Sequence, residues 1–85
     1  MNPLDYLALN FGDSEIAYLY PFVQKLRSEG KSCEIYPDNS KMKKQMSHAD
    51  KRNAQFVIIA GENEIKNKSV TIKNMTTGEQ LEHKI

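Results

Sequence analysis

A basic segment in the middle of the chain is the first candidate for chemistry. From Lys41 to Arg52 there are five lysine or arginine residues and one acid, Asp50. Lys41, Lys43 and Lys44 fall in the first turns of a predicted helix, where free backbone N–H groups also attract anions. Such a helix can bind phosphate, although a solvated helix face gives the same pattern. The segment indicates either a nucleic-acid contact or an ordinary exposed surface.

Three polar side chains could read a nucleic-acid base beside that segment. Asn39 can donate and accept hydrogen bonds at a base edge, and Glu64 can accept from the amino or imino hydrogens of guanine or cytosine. Lys73 is predicted on the wet face of a hairpin, where it could reach a base or a phosphate. The alternatives are a helix cap at Asn39 and a solvated loop charge at Glu64. The residues alone leave both interpretations open.

Catalytic and metal chemistry have little support. Cys33 is the single cysteine and falls inside a predicted strand, which favours a structural thiol over a nucleophile. His48 and His83 lack the spacing of metal ligands. Gly12 and Gly61 stand alone in their loops, unlike the glycines of a phosphate-binding motif. We therefore expect no catalytic residue, no metal site and no cofactor for this chain.

The composition favours one small soluble domain. The 85 residues carry a net charge of +1, and an apolar fraction of 39% suffices for one core. No stretch approaches the roughly 18 apolar residues that span a bilayer, and the start of the chain lacks the pattern of a secretory signal. A lone cysteine gives no disulfide framework. These features predict a cytoplasmic location and no membrane partner.

Hydrophobic periodicity predicts alternating strands and helices, followed by a hairpin. The first helix begins at Asp13 or Ser14 and ends near Gly30, with a kink or a break at Pro21 because proline removes a backbone hydrogen bond. The second helix opens within residues 38–40 and runs to about Asn53. Its predicted core stripe is Met42, Met46 and Ala49. The predicted strands are 6–11, 32–36, 55–60, 70–74 and 80–85.

This order predicts an α/β fold with a helix on each face of the sheet. Right-handed crossovers make the first three strands parallel, and the apolar run 55–60 suits a central strand buried on both sides. In open α/β sheets, ligands bind at the carboxyl ends of the strands. The loops at those ends are 10–13, 38–40 and 61–64. We expect Lys44, Glu64 and Lys73 to converge there on one concave surface.

Several ordered segments resemble one known family. They are Ile-Tyr-Pro-Asp-Asn-Ser-Lys-Met-Lys-Lys-Gln-Met at 35–46, Phe-Val-Ile-Ile-Ala-Gly-Glu-Asn-Glu at 56–64 and Thr-Gly-Glu-Gln at 77–80. The set is similar to the C-terminal, anticodon-binding domain of histidyl-tRNA synthetases, and it covers nearly all of residues 6–82. The resemblance implies a three-layer α/β/α fold of class IIa type. Its five-stranded mixed sheet has the order 2-1-3-4-5, with strand 4 antiparallel.

The resemblance also implies roles for particular residues. In related synthetases the anticodon is read from three positions that match Asn39, Glu64 and Lys73, while a basic helix positions the RNA. The partner implied is tRNA(His). The parent would be a homodimeric cytoplasmic histidine–tRNA ligase that uses ATP and Mg²⁺ in a separate catalytic core.

Two departures from the family pattern shape the expected domain organisation. The class II catalytic core and the family's final helix have no counterpart, so we expect residues 1–85 to be a monomeric, non-catalytic fragment whose Met1 is added or fortuitous. An apolar face should then be open at Val70, Ile72 and Leu81. The alternative function is a synthetase-derived regulatory or protein-interaction module, such as a tRNA sensor or an accessory subunit.

Overall fold

Strands and helices alternate along the chain until two strands end it. The structure is a computed structural model that describes residues 3–85, so the expectation about Met1 lies outside the described residues. The elements in chain order are β1 (Tyr6–Ala8), α1 (Asp13–Ser28), β2 (Cys33–Ile35), α2 (Met42–Lys51), β3 (Phe56–Ile59), α3 (Glu62–Asn67), β4 (Ser69–Asn74) and β5 (Gln80–Lys84).

The strands form one five-stranded mixed sheet with the order β2-β1-β3-β4-β5. β1 pairs in parallel with both β2 and β3, whereas β4 is antiparallel to β3 and to β5. The parallel pairs bring the carboxyl ends of β1, β2 and β3 to one edge of the sheet. This edge is called the carboxyl edge below. The predicted fold class and strand order are confirmed.

Each face of the sheet carries its own hydrophobic cluster. On one face α1 packs Leu19, Val23 and neighbouring residues against Ile58 and Val70. On the other face Ala49 of α2 packs with Val57 and the residues around it. Val57 and Ile58 are both fully buried, because successive residues of a strand point to opposite faces. β3 is therefore the central strand buried on both sides that its apolar run predicted.

The first helix is continuous, so the expected break at Pro21 is wrong. α1 runs through Pro21 without interruption. The proline leaves the carbonyl of Ala17 without its helical N–H donor. Both residues are exposed, so water can take that donor's place. The helix also begins at Asp13 after Gly12, with no side-chain cap at its start.

The second helix begins later than predicted and buries a different residue. α2 starts at Met42 and has no side-chain hydrogen bond at its cap. Met42 is 46% exposed, whereas Gln45 is fully buried. The predicted core stripe is therefore wrong at Met42 and correct at Ala49. The cause is that α2 contacts the sheet at Gln45, one turn after the helix begins. There the Gln45 side-chain amide forms hydrogen bonds with the end of β1.

The face beside the last strand is only partly open. β5 is exposed along its whole length, and Leu81 is 61% exposed. Ile72 is partly buried against the α1 cluster. Val70 is fully buried, because α1 covers it, so the expectation of an exposed Val70 is wrong.

Two glycines at the carboxyl edge should respond differently to an added methyl group. Gly12 has φ +133°, and a Cβ there would stand 2.9 Å from Glu15 Oε1. We expect Gly12→Ala to lower the free energy of unfolding by about 1–3 kcal/mol, because this backbone region is open almost only to glycine. Gly61→Ala is the control, since Gly61 has φ −115° and extended backbone. Urea unfolding measures both, and an equal loss in the two variants would contradict the prediction.

Candidate nucleic-acid interface

A buried pair of amide side chains organises the carboxyl edge. The Asn10 N–H donates to Gln45 Oε1 at 2.7 Å, and Gln45 Nε2 donates to the Asn10 carbonyl at 2.8 Å. Gln45 Nε2 also donates to the Ser40 carbonyl at 2.8 Å. The Asn10 side chain donates to the Tyr36 carbonyl at 3.1 Å and accepts from the Gly12 N–H at 2.9 Å. One network thus joins the ends of β1 and β2 to the loop before α2.

The structure places Asn39 in that loop, where its amide has no hydrogen-bond partner among residues 3–85. It is not a helix cap, because α2 starts at Met42 and Lys41 occupies the capping position. The Asn39 Nδ2 atom lies 3.9 Å from the place of a Cβ on Gly12. Asn39 is exposed, so its donor and acceptor are both available to a ligand.

Glu64 is held by two hydrogen bonds and is not a solvated loop charge. α3, which the sequence analysis missed, places Glu64 in its first turn. The Gly61 N–H donates to Glu64 Oε1 at 2.8 Å, and the Thr71 hydroxyl donates to Oε2 at 2.9 Å. The Gly61 N–H, followed by the Thr71 hydroxyl, lowers the pKa of this carboxyl despite partial burial. Each oxygen retains a lone pair that can accept from a base.

Lys73 lies on the same side of the sheet as α2. It stands opposite Val57 of β3, and Thr71 stands opposite Ile59. Val57 and Ile59 both belong to the α2 cluster, and cross-strand partners share a face. Lys73 is therefore two residues, about 7 Å, from the threonine that bonds Glu64. Glu64 and Lys73 therefore flank one stretch of β4.

The predicted lysines line a groove on the other flank of α2. Its volume is about 500 Å³. The lining residues are Tyr36, Lys41, Lys43, Lys44, Ser47, His48 and Lys51. Because Tyr36 follows β2, we call this the β2-side groove. Lys44 lines this groove, whereas Asn39, Glu64 and Lys73 do not. The groove is therefore not the single concave surface that was expected to hold Lys44, Glu64 and Lys73.

One basic residue of the segment 41–52 stabilises the fold through an ion pair. Arg52 forms an ion pair with Glu34 of β2. The Arg52 hydrogen bond and charge lower the pKa of Glu34. Glu34 lies within reach of Arg52 because β2 folds beside the end of α2.

Three residues of this region could not be recognised as contributors from the sequence. Tyr36 gave no signal beyond its place at the end of a strand, and Gln45 looked like a surface residue of a polar helix. Ser47 had no distinguishing feature. Their positions depend on the pairing of β2 with β1, which no local pattern encodes.

The described residues contain no alternative site for metal or thiol chemistry. Within residues 3–85 no three His, Cys, Asp or Glu side chains come together as metal ligands. Burial raises the pKa of the Cys33 thiol to about 11, so it remains protonated at neutral pH and is a poor nucleophile. In the same part of the chain no helix has the length and apolar character to cross a membrane.

A family comparison agrees with this geometry. Residues 8–85 match the family model described as anticodon binding domain. The chain therefore belongs to the anticodon-binding domain family. Its sequence relatives include a protein named histidine–tRNA ligase from Phocaeicola vulgatus, which is 52% identical over 80 residues that make up 94% of this chain and 18% of that protein.

Solved structures of similar proteins show the same fold. The histidyl-tRNA synthetase from Nostoc sp. PCC 7120 matches with a TM-score of 0.88 and 25% identity over 98% of this chain and 20% of that one. The apo S. aureus histidyl-tRNA synthetase matches with a TM-score of 0.85 and 33% identity over 96% and 21%. The chain thus spans about a fifth of these relatives. A regulatory or protein-interaction module is not favoured, since the relatives named here are synthetases.

The buried amide pair should be essential for stability. Gln45→Ala leaves the Asn10 N–H and carbonyl without partners inside the protein, and a buried unsatisfied polar group costs about 1–3 kcal/mol. We expect a loss of that size in urea unfolding. Gln24→Ala is the matched control, because Gln24 is an exposed helical glutamine. Equal losses in the two variants would show that the network contributes nothing.

The hydrogen bonds of Glu64 should make stability depend on pH. The folded-state pKa of Glu64 lies below its ordinary value, so its stabilisation is present above the unfolded pKa of about 4.3 and is lost as the pH falls through the folded pKa. As the pH is lowered from about 5 to about 3, the unfolding free energy of the Glu64→Gln variant should therefore fall less than that of the wild type. Glu62→Gln, at an exposed position in the same turn, should keep the wild-type profile, and a matching change in both would refute the assignment.

Proposed function

We propose that this chain binds the anticodon stem-loop of tRNA(His) as part of a cytoplasmic, homodimeric histidine–tRNA ligase. The lysines of the β2-side groove contact phosphates and position the RNA, while Asn39, Glu64 and Lys73 read unpaired bases. The observation that carries the proposal is the free hydrogen-bonding capacity of Asn39 at the carboxyl edge. Asn39 lies two residues before Lys41, which lines the β2-side groove. Relatives that match most of the chain are named for this ligase.

The chemistry at each position suits a GUG anticodon. The Glu64 lone pairs that remain can accept from the N–H groups on the Watson–Crick edge of guanine. The Lys73 ammonium can donate to guanine O6 or N7. Asn39 offers a donor and an acceptor, which suits uracil as well as guanine. Fixed donors and acceptors at three places favour one base sequence over others.

The chain contributes binding and no chemical step to the proposed enzyme. Aminoacylation would need ATP and Mg²⁺ in a catalytic core beyond these 85 residues. Within residues 3–85 no three His, Cys, Asp or Glu side chains lie close enough to hold a metal ion, and we assign no part of that site to this chain. We propose that the isolated chain is a monomer in solution.

Binding to stem-loops tests the proposal directly. Labelled protein is titrated with a GUG stem-loop and with a scrambled-anticodon stem-loop at two salt concentrations. We expect tighter binding of the GUG loop and a log–log salt slope of roughly −3, since about four phosphates are neutralised. Equal affinity for the two loops would refute anticodon reading.

Lys73 should contribute to discrimination between the loops. We expect Lys73→Met to reduce the preference for the GUG loop by about 1–3 kcal/mol, the range for loss of a base-specific contact. Lys31→Met removes an exposed lysine that precedes β2, at the opposite edge of the sheet, and should leave the preference unchanged. A preference that survives Lys73→Met would exclude Lys73 from base reading.

A further inference from the structure

The β2-side groove has aromatic walls as well as cations. The rings of Tyr36 and His48 meet edge to face, with centroids 5.3 Å apart and planes at 74°. Tyr36 is 8% exposed and follows β2 directly, so its buried ring is a fixed contact for the His48 imidazole. His48 lies on α2 and is partly exposed. The groove therefore presents a braced aromatic ring to a ligand.

The polar side-chain atoms of Tyr36, Ser47 and His48 have no hydrogen-bond partner among residues 3–85. No described residue bonds the Tyr36 hydroxyl. Since no buried polar side-chain atom in residues 3–85 lacks a partner, that hydroxyl must touch solvent. The His48 ring nitrogens and the Ser47 hydroxyl likewise have no hydrogen-bond partner in the described chain. These side-chain donors and acceptors, next to an aromatic ring, are available to hydrogen-bond a ligand.

The cations of the groove are also uncompensated. Lys41, Lys43, Lys44 and Lys51 line it. None of the acids nearest in sequence lines the groove: Glu34 pairs with Arg52, Asp38 accepts from Ser40, and Asp50 lines a different pocket. No ion pair involving these four lysines exists within residues 3–85. The lysines favour a negatively charged ligand. The aromatic ring of His48 favours a ligand that also has a flat ring.

A nucleotide has both features, whereas an acidic peptide supplies the charge alone. Single-stranded RNA is bound by cationic grooves in which bases stack on aromatic side chains, with little dependence on sequence. The groove is continuous with the proposed base-reading edge, because Lys41 lies on its wall and the Tyr36 carbonyl accepts from Asn10 of the edge network. A strand read at Asn39 can therefore continue into the groove.

We propose that the β2-side groove is a nucleotide subsite that takes one unpaired nucleotide next to the bases read at the carboxyl edge. Its base stacks on His48, braced by Tyr36, and its phosphate lies among the ammonium groups of Lys44 and Lys51. The inference rests on the proposed RNA binding and is separate from anticodon reading. His48 is a binding residue that contributes affinity for any stem-loop, without contributing to discrimination.

Substitutions at His48 separate stacking from charge. We expect His48→Ala to weaken binding of the GUG and scrambled stem-loops by the same factor, about tenfold for the loss of one stacked base. His48→Phe keeps a flat ring and should bind within about twofold of the wild type. His83→Ala is the matched control, since His83 lies against Phe22 on the α1 side and should bind like the wild type.

Charge in the groove is tested by the salt dependence. We expect Lys51→Gln to reduce the log–log salt slope by about 0.7–0.9, the value for one lost phosphate contact. A poly-glutamate peptide should compete poorly with the stem-loop, because it offers no base to the ring. Competition as strong as that of RNA at equal charge would overturn the subsite and indicate an acidic protein partner.

The outcomes distinguish this inference from the proposed function. If the wild type prefers the GUG loop but His48→Ala binds like the wild type, anticodon reading stands and the subsite is overturned. A His48→Phe variant as weak as His48→Ala also overturns stacking. If the wild type binds both loops equally and His48→Ala weakens both, the subsite stands while anticodon reading fails. Absence of binding to either loop overturns both.

Discussion

The reciprocal hydrogen bonds between Asn10 and Gln45 are the constraint on which the candidate interface depends. β1 has only three residues, so its backbone leaves the sheet while still buried. A buried N–H and carbonyl must find partners, and a glutamine from α2 supplies both. The same amide also binds the Ser40 carbonyl. The loop that carries Asn39 is thereby fixed to the sheet by satisfied polar groups.

That constraint gives α2 its place and divides the interface into two flanks. On one flank Ile59 and Met75 pack against the α2 cluster, on the side where Glu64 and Lys73 flank β4. On the other flank His48 contacts Tyr36, and the lysines of the β2-side groove extend outward. The two flanks suit two tasks. Fixed acceptors and donors beside β4 suit the reading of bases, and unpaired ammonium groups beside β2 suit the binding of phosphates.

Much of the fold follows from hydrophobic periodicity because the core has two simple faces. The run 55–60 predicted the central strand, and the alternation after residue 70 predicted the hairpin. α3 was missed because a six-residue helix is too short to show a helical period. Its contacts with the rest of the fold are also non-local: the Tyr18 hydroxyl donates to the Glu64 carbonyl at 3.2 Å and to the Ser69 carbonyl at 2.9 Å.

The candidate site was only partly predictable for a related reason. The lysines were visible because charge clusters in a short stretch. Asn39, Glu64 and Lys73 were candidates by their hydrogen-bonding groups, and the family resemblance gave them an anticodon-reading role. Gln45 was hidden because a buried polar residue breaks the apolar stripe of its helix. The structural role of Arg52 was hidden because its partner Glu34 lies on a different element. Interactions between residues that are distant in sequence decide which polar side chains stabilise the fold and which are available to a ligand.

The most direct measurement is a map of backbone amide chemical shifts for the isotope-labelled chain as the GUG stem-loop is added. The account predicts that the largest changes fall in residues 36–51 and 61–73, on the two flanks of α2. Residues of the opposite face, around Phe22 and His83, should change little. Changes concentrated on that opposite face would contradict the account, because the RNA would then bind where neither the basic groove nor the carboxyl edge can reach it.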